Sequence, residues 1–161
     1  MPASRSHDSR RLLVLVTWLV QGLACATDID GVVVGVADGD TLTVLSGGGQ
    51  FKVRMVEIDA PEKAQPYGQR ARTSLADLCF RRPVHVVDKG QDRYGRTLGR
   101  VWCAGVDANK EQVRRGMAWV YERYVTDRGL YKVQGQAQGR HLGLWADPSP
   151  IPPWDWRNGS R

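Results

Sequence analysis

Three acidic side chains lie beside turn signals in a chain that is basic overall. Asp40 belongs to ADGDT, residues 37–41, and Asp59 and Glu62 belong to DAPE, residues 59–62. Each stretch alone is typical of a turn or of a helix entry. Three carboxylates in one place repel one another unless a cation lies between them, and hard oxygen ligands select Ca²⁺ or Mg²⁺. The sequence therefore predicts a divalent-metal site, provided that the fold brings the two stretches together.

An arginine lies on the strand that is expected to lead into the second acidic stretch. Residues 51–58, FKVRMVEI, alternate as a β-strand does. Arg54 then points away from the residues expected to face the core, which are Phe51, Val53 and Met55. A guanidinium beside a metal-binding group of acids suits a phosphate substrate, because it donates to two oxygens at once.

Five strands and about three helices are expected to position these residues. The strands are predicted at residues 31–37, 41–46, 51–58, 82–88 and 97–103, and the helices at 67–80, within 106–116 and at 129–142. The first three strands form an antiparallel meander, so the second begins where the third ends, and Asp40 becomes a neighbour of Asp59. A helix between the third and fourth strands predicts an α+β, mainly β fold, the five-stranded OB-fold barrel.

The two ends of the chain differ in composition from its middle. Three arginines, an apolar run at residues 12–20 and an A-x-A site ending at Ala26 are typical of a secretory signal peptide. An uncleaved anchor and a lipid-modified Cys25 are the alternatives. The tail, rich in proline, is expected to be extended and docked by its two tryptophans. The expected segments are a signal peptide at 1–26, an OB-fold domain at 27–147 and a Pro- and Trp-containing tail at 148–161.

The net charge and the cysteine content limit the classes of partner and the cellular compartments that are expected for this chain. The net charge is +6, or +4 without residues 1–26, which favours a polyanionic partner, although solubility alone also explains it. A mean hydropathy of −0.41 argues against a membrane protein. Once the leader is removed, Cys79 and Cys103 form an even pair, expected as a disulfide in a secreted or periplasmic protein. Two buried free thiols are the alternative.

Four ordered stretches resemble the motifs of the staphylococcal nuclease-like (thermonuclease) family. The resemblance covers about residues 31–145 and implies a Ca²⁺-dependent nuclease on an OB-fold barrel. It casts Asp40 and Asp59 as metal carboxylates, with the backbone carbonyl of Ala60 as a further ligand where family members often have Thr. The stretches are ADGDT at 37–41, VRMVEIDAPE at 53–62, DRYGRTLGRV at 92–101 and VRRGMAWVY at 113–121.

The same resemblance implies roles in phosphodiester hydrolysis. Arg54 and Arg96 correspond to the paired phosphate-binding arginines, and Glu62 to the residue that positions or deprotonates the attacking water. Two guanidiniums can hold phosphoryl oxygens as negative charge builds, and a carboxylate near the water can take its proton. The resemblance also implies cleavage of the 5′ P–O bond, which leaves 3′-phosphate ends.

Aromatic and basic residues outside the acidic stretches are candidates for substrate binding. Tyr124, then Tyr121 and Trp119, can stack bases in a groove, although packing in the core or on the surface explains them equally well. Arg93 and Arg100 are expected to lie on the surface or to contact the phosphate backbone. The expected partner is DNA, RNA or both, and the mature chain is expected to be a monomer without stable membrane insertion.

Two other functions remain open at this point. A non-catalytic OB-fold module would bind single strands through charge and stacking, and a structural envelope protein would use Ca²⁺ only for stability. The nuclease hypothesis is favoured because a binding module has no use for converging acids that repel phosphate, and a structural protein would lack the arginines. The set that carries this hypothesis is Asp40, Arg54, Asp59, Glu62 and Arg96.

Overall fold

A computed structural model describes residues 27–159, so the expected signal peptide lies outside the described residues. Within that range the strands are β1 (Ile29–Val36), β2 (Thr41–Ser46), β3 (Gly49–Met55), β4 (Ile58–Asp59), β5 (Pro83–Gln91), β6 (Thr97–Cys103), β7 (Val106–Asp107) and β8 (Trp119–Val120). The helices are α1 (Gly68–Cys79), α2 (Ala108–Arg114), α3 (Gly129–Gly139), a 3-10 helix (Gly143–Ala146) and α4 (Pro153–Arg157).

The five long strands close into a barrel. Their order in the sheet is β3-β2-β1-β5-β6, and a parallel pairing of β3 with β6 joins the two edges. The α+β OB-fold predicted from the sequence is confirmed. The strands that were not predicted are the short β7 and the two that form a ribbon, β4 paired with β8. No helix within residues 27–159 is long and apolar enough to cross a membrane.

The barrel interior is filled by the apolar side chains that alternate along its strands. Val53 and Met55 are buried as predicted, but Phe51 keeps 39% of its surface exposed. The prediction that Phe51 faces the core was therefore wrong; this residue lies near the start of β3, two positions after Gly49. The fully buried aliphatic side chains of the strands include Val33, Leu42, Val44, Val86 and Val101.

Helix α1 covers one end of the barrel and is tied to it covalently. Its buried face presents Ala71, Leu75 and Leu78 at helical spacing. The helix ends at Cys79, whose sulfur bonds to that of Cys103 at the end of β6. The structure therefore contains the disulfide expected from the sequence, and the two cysteines are not free thiols.

The third predicted strand is interrupted where it approaches the acidic stretch. β3 ends at Met55 rather than at Ile58, because Glu57 adopts a left-handed conformation with φ of 66°. The buried Glu57 carboxylate accepts hydrogen bonds from the backbone amides of Thr126 and Asp127, both at 2.7 Å. This turn redirects the chain into β4 and thereby sets the direction from which Asp59 enters the site.

Arg100 belongs to the same internal network. The sequence predicted a surface position or a phosphate contact for this arginine, and that prediction was wrong. Its guanidinium pairs with Glu57 at 2.8 Å, Asp107 at 2.7 Å and Asp127 at 3.0 Å. Burial alone would raise the pKa of Glu57, but hydrogen bonds from Thr126 and Asp127 and the charge of Arg100 lower it overall.

The C-terminal segment is docked rather than extended throughout. Residues 148–157, called here the C-terminal strap, end in α4, which begins at Pro153 as is usual for proline at a first helical position. Trp154 stacks on Tyr121, with ring centres 5.4 Å apart and planes 8° apart, and packs edge-on against Trp119 at 5.8 Å. The prediction of an extended tail was therefore wrong for Pro153–Arg157, which form α4. The docking of Trp154 agrees with the expectation.

Candidate active site

The turn between β1 and β2 holds Asp40 against the acidic stretch and α1. The Asp38 side chain accepts a hydrogen bond from the backbone amide of Asp40 at 3.0 Å, which closes the turn. At Gly39, a Cβ atom would lie only 2.6 Å from the Cβ atoms of both Ala60 and Ala71. Glycine is therefore required there, because the turn packs directly on α1 and on the chain that follows Asp59.

The Asp40 carboxylate is almost fully buried, at 5% exposure. Its Oδ2 accepts a hydrogen bond from the backbone amide of Ala60 at 2.6 Å. Burial raises the pKa of Asp40 to about 7, with Arg54 opposing the rise and the charges of Asp38 and Asp59 adding to it. A carboxylate in this environment is stabilised in its ionised form by any added positive charge.

Arg54 joins the two carboxylates predicted as metal ligands. Its Nη1 lies 3.2 Å from Asp40 Oδ2, and its Nη2 lies 2.9 Å from Asp59 Oδ1. The pairing of Thr41 with Arg54 between β2 and β3 produces this arrangement, because it sets the arginine beside the residue that follows Asp40. The structure therefore brings together Asp40, Arg54 and Asp59 from two separate stretches.

Glu62 is connected to this group by an arginine that the sequence did not single out. Arg157, at the end of the strap, places Nη1 2.6 Å from Glu62 Oε1 and Nη2 2.6 Å from Asp59 Oδ2. The acids therefore alternate with arginines in the order Asp40, Arg54, Asp59, Arg157, Glu62. In the part of the chain that the structure describes, no group of three or more Asp, Glu, His or Cys side chains is able to hold a metal ion.

A metal site can accordingly rest on two carboxylates, Asp40 and Asp59, and on the carbonyl of Ala60. All three donors are hard oxygens, which fits Ca²⁺ or Mg²⁺, with water completing the ligands. The guanidinium of Arg54 lies between the two carboxylates, so this position accommodates positive charge. The residues present therefore fit the cation that the resemblance implies.

Arg96 lies next to the sheet but outside the chain of ion pairs. It immediately precedes β6, in which Leu98 pairs in parallel with Arg54 of β3. Its Nε donates to Asp92 Oδ2 at 2.7 Å. Between residues 27 and 159, no hydrogen bond or ion pair joins Arg96 to Asp40, Asp59 or Glu62.

Tyr94, beside Arg96, was not singled out from the sequence. Its ring is 69% exposed, with the guanidinium carbons of Arg93 and Arg96 4.9 Å and 5.7 Å from its centre. An exposed aromatic ring between two arginines suits stacking on a base next to a phosphate. Its position in DRYGR, between two arginines of a site motif, was the available signal.

The aromatic residues proposed for the groove divide into two groups. Tyr124 is 57% exposed and available to a ligand, and its ring meets that of Tyr121 edge-on at 5.1 Å. One face of Tyr121 is covered by Trp154 of the strap. Trp119 packs between Trp154 and Trp145, so the packing interpretation holds for Trp119.

Comparison with known proteins places most of this site within one family. A family model described as "Staphylococcal nuclease homologue" matches residues 52–147, which include Arg54, Asp59, Glu62 and Arg96. Asp40 and Arg157 lie outside the matched range.

Individual relatives extend the similarity to nearly the whole chain. "Micrococcal nuclease" of Shigella flexneri is 41% identical over 162 residues, which cover 94% of this chain and 93% of that protein. An "Uncharacterized endonuclease" of Haemophilus influenzae is 47% identical over 126 residues, 78% of this chain and 71% of that protein. "Protein ParB" of Escherichia coli is 40% identical and covers 97% of this chain and 94% of its own length.

Proposed function

The chain belongs to the staphylococcal nuclease homologue family, and from this premise we propose that it is a Ca²⁺-dependent nuclease that hydrolyses phosphodiester bonds in DNA, RNA or both. The observation that carries the proposal is the convergence of Asp40 and Asp59 on the guanidinium of Arg54. Buried acids beside an arginine that can hold phosphate are the combination that metal-assisted phosphodiester hydrolysis requires.

The metal would be held by the Asp40 and Asp59 carboxylates and the Ala60 carbonyl. When bound there, Ca²⁺ supplies Lewis-acid stabilisation of a phosphoryl oxygen and lowers the pKa of a coordinated water. The protein excludes most water from around these charges, since Asp40, Asp59 and Ala60 are each at most 5% exposed. Electrostatic interactions are stronger in such surroundings than in water.

The arginines and Glu62 perform the remaining steps. Arg54 on β3 and Arg96, just before the neighbouring β6, bind the phosphoryl oxygens and stabilise the additional negative charge of the transition state. Glu62, the most exposed acid of the site at 41%, accepts a proton from the attacking water. The water oxygen bonds to phosphorus as the bond to the 5′ oxygen breaks, and the 5′ oxygen takes up a proton from solvent, which leaves a 3′-phosphate and a 5′-hydroxyl.

We also propose that the protein works in an oxidising compartment, as a secreted or periplasmic protein. The bond between Cys79 and Cys103 supports this location, because structural disulfides persist mainly outside reducing cytosol. The N-terminal sequence, with its basic start and A-x-A site, supports it independently.

The test is hydrolysis of single- and double-stranded DNA and RNA by the purified protein, with Ca²⁺, with Mg²⁺ and with a chelator. We expect cleavage with Ca²⁺, little with Mg²⁺, which demands stricter octahedral geometry, and none with the chelator. The products should carry 3′-phosphates. Asp40→Asn should abolish cleavage, whereas Asp77→Asn, which changes an exposed acid of α1, should not.

Two results would contradict the proposal. Full activity in excess chelator would exclude the metal. Tight binding of single strands without any cleavage in Ca²⁺ would instead favour the non-catalytic binding module.

A further inference from the structure

Arg157 reaches the site from the far end of the chain. It is separated by 98 residues from Asp59 and by 95 from Glu62, and it lies beyond the range matched by the family model. Its guanidinium donates to Asp59 Oδ2 at 2.6 Å, to Asp59 Oδ1 at 3.3 Å and to Glu62 Oε1 at 2.6 Å. One planar group thus holds two acids that have different roles in the proposed reaction.

This contact differs from an ordinary surface ion pair. The Asp59 side chain is 2% exposed, so its charge depends on protein partners rather than on water. Exposed pairs contribute little because solvent screens them, whereas removal of one partner from a buried pair leaves a charge without compensation. A bidentate arginine also fixes the orientation of the carboxylate that it binds.

The strap that carries Arg157 is itself anchored at several points. Trp154 stacks on Tyr121, and Pro153 is buried. The Gln65 side chain donates to the carbonyl of Ile151 at 2.6 Å, and its oxygen accepts the backbone amide of Glu62 at 3.0 Å. Glu62 is therefore held by the strap through its side chain and, by way of Gln65, through its backbone.

The charges of the site also require this second arginine. Asp40, Asp59 and Glu62 carry three negative charges when ionised, and Arg54 and Arg157 carry two positive charges, while the charge of Arg96 is balanced by its ion pair with Asp92. A divalent cation and one phosphodiester would bring the total to neutrality. Without Arg157 the same assembly would remain anionic, which disfavours the approach of a phosphate.

We propose that Arg157 is a positioning residue of this active site, which orients the Glu62 carboxylate toward the attacking water and the Asp59 carboxylate toward the metal. The inference rests on the proposed nuclease function. The C-terminal strap is then part of the catalytic domain rather than an appendage to it.

The experiment compares Arg157→Gln and Arg157→Lys with the wild type, in the full chain, on one short DNA oligonucleotide at saturating Ca²⁺. The matched control is Arg140→Gln, an exposed arginine at the end of α3. We expect kcat of Arg157→Gln to fall about 10- to 100-fold, as for loss of other residues that orient metal ligands, with KM changed less than about threefold. Arg157→Lys should recover only part of the lost kcat, because an ammonium group cannot span both carboxylates.

A double-mutant cycle separates positioning from a general structural effect. If Arg157 acts through Glu62, Arg157→Gln should lower kcat much less in a Glu62→Gln background than in the wild type. Additive losses would overturn the inference, as would wild-type turnover in Arg157→Gln or full recovery in Arg157→Lys. Higher activity in Arg157→Gln would show that the strap restrains the site instead of completing it.

A second readout does not depend on activity. The melting temperatures of the same four proteins of the cycle, measured in chelator, should be non-additive if Arg157 and Glu62 are coupled in the free protein. Wild-type protein that cleaves no nucleic acid would refute the proposed function, and the melting cycle would still test the contact. If Arg157→Gln does not fold, Arg157→Lys, which keeps the charge and the aliphatic stem, carries the same comparison.

Discussion

At the scale of single residues, Glu62 is the group whose chemistry can be isolated most cleanly. Its carboxylate is 41% exposed, whereas those of Asp40 and Asp59 are buried, so its replacement disturbs packing least. Glu62→Gln keeps the shape of the side chain and removes the proton acceptor. We expect kcat to fall about 10²- to 10⁴-fold if general-base catalysis is the missing contribution.

Binding should change far less than turnover in this variant, because other basic residues contact the nucleic-acid backbone. The measurements are kcat and Kd on one oligonucleotide at fixed salt and Ca²⁺. Glu111→Gln serves as the control, since Glu111 is likewise held by arginines, Arg114 and Arg115, but on α2 and outside the group of acids joined by Arg54 and Arg157. Wild-type turnover in folded Glu62→Gln would place the proton acceptor elsewhere.

Some of these residues were accessible from the sequence and others were not. Turn chemistry and strand alternation placed Asp40, Arg54 and Asp59 at one end of the barrel, because both are local patterns with a known geometric consequence. Arg157 was missed because its contacts cross more than 90 residues, and no spacing rule connects PPWDWR with DAPE. The docked position of the strap, which is anchored at Trp154, Pro153 and Ile151, brings that arginine to the acids.

At the scale of elements, the disulfide joins the end of α1 to the end of β6. The two cysteines are 24 residues apart, and a closed loop of that length contributes roughly 3–4 kcal/mol in the chain-entropy model. The double variant Cys79→Ala, Cys103→Ala should lose about that much free energy of unfolding, measured in urea. A reductant should destabilise the wild type and leave the variant unchanged, and equal stability of the two oxidised proteins would contradict the prediction.

The network around Arg100 joins β6, α2 and the loop before α3, and it should weaken in acid. The hydrogen bond from Arg100, then that from the Gly129 amide, lowers the pKa of Asp127 below its ordinary 3.8. A lowered pKa in the folded protein means that the ionised group adds stability above about pH 3.8, which is lost as the pH falls through the folded value.

Asp127→Asn should therefore be less stable than the wild type near pH 7, by less than about 1 kcal/mol because the pair is half exposed. The difference should shrink as the pH falls below about 3.8 and vanish once the carboxylate is protonated in the folded wild type. Urea unfolding at a series of pH values from 7 downward measures it, with Asp77→Asn as a control that should show no such dependence. A difference that persists in acid would assign the effect to packing rather than to charge.

The elements themselves show where sequence patterns suffice. All five barrel strands and the three longer helices followed from periodicity and turn residues. The break at Glu57 could not be predicted from these patterns. The left-handed conformation of Glu57 interrupts an alternating run, and it is imposed by contacts with Thr126, Asp127 and Arg100, which lie 43 to 70 residues away in the sequence. Helix α4 could not be predicted from the sequence either, because its proline-rich sequence lacks periodicity and its position depends on the stacking of Trp154 on Tyr121.

At the scale of the whole molecule, the barrel and the strap enclose the site from two sides. The barrel supplies Asp40 and Arg54, and the ribbon of β4 with β8 pairs Asp59 with Trp119. The same Trp119 packs against Trp154, so the ribbon also forms the platform on which the strap docks. The acids of the proposed site and their C-terminal arginine are thus positioned by one continuous set of contacts.

A further prediction concerns how the affinity for nucleic acid depends on salt. The net charge of residues 27–161 is only +4, so we expect phosphate contacts from local groups such as Arg93 beside the exposed Tyr94. Each arginine that neutralises a phosphate releases a counterion, and the logarithm of affinity then falls with the logarithm of salt by about 0.7 per contact for single strands. Loss of one such contact should make this slope shallower by the same amount.

We therefore expect Arg93→Ala, in a Glu62→Gln background that binds without cleavage, to bind single-stranded DNA more weakly at low salt and with a slope reduced by about 0.7. Arg140→Ala, which removes an equal charge from the exposed end of α3, should leave the slope unchanged. Fluorescence anisotropy over a range of salt concentrations gives both slopes. Equal slopes for the two variants would show that only the overall charge attracts the substrate, whereas a change confined to Arg93→Ala would place the phosphate backbone along the loop between β5 and β6.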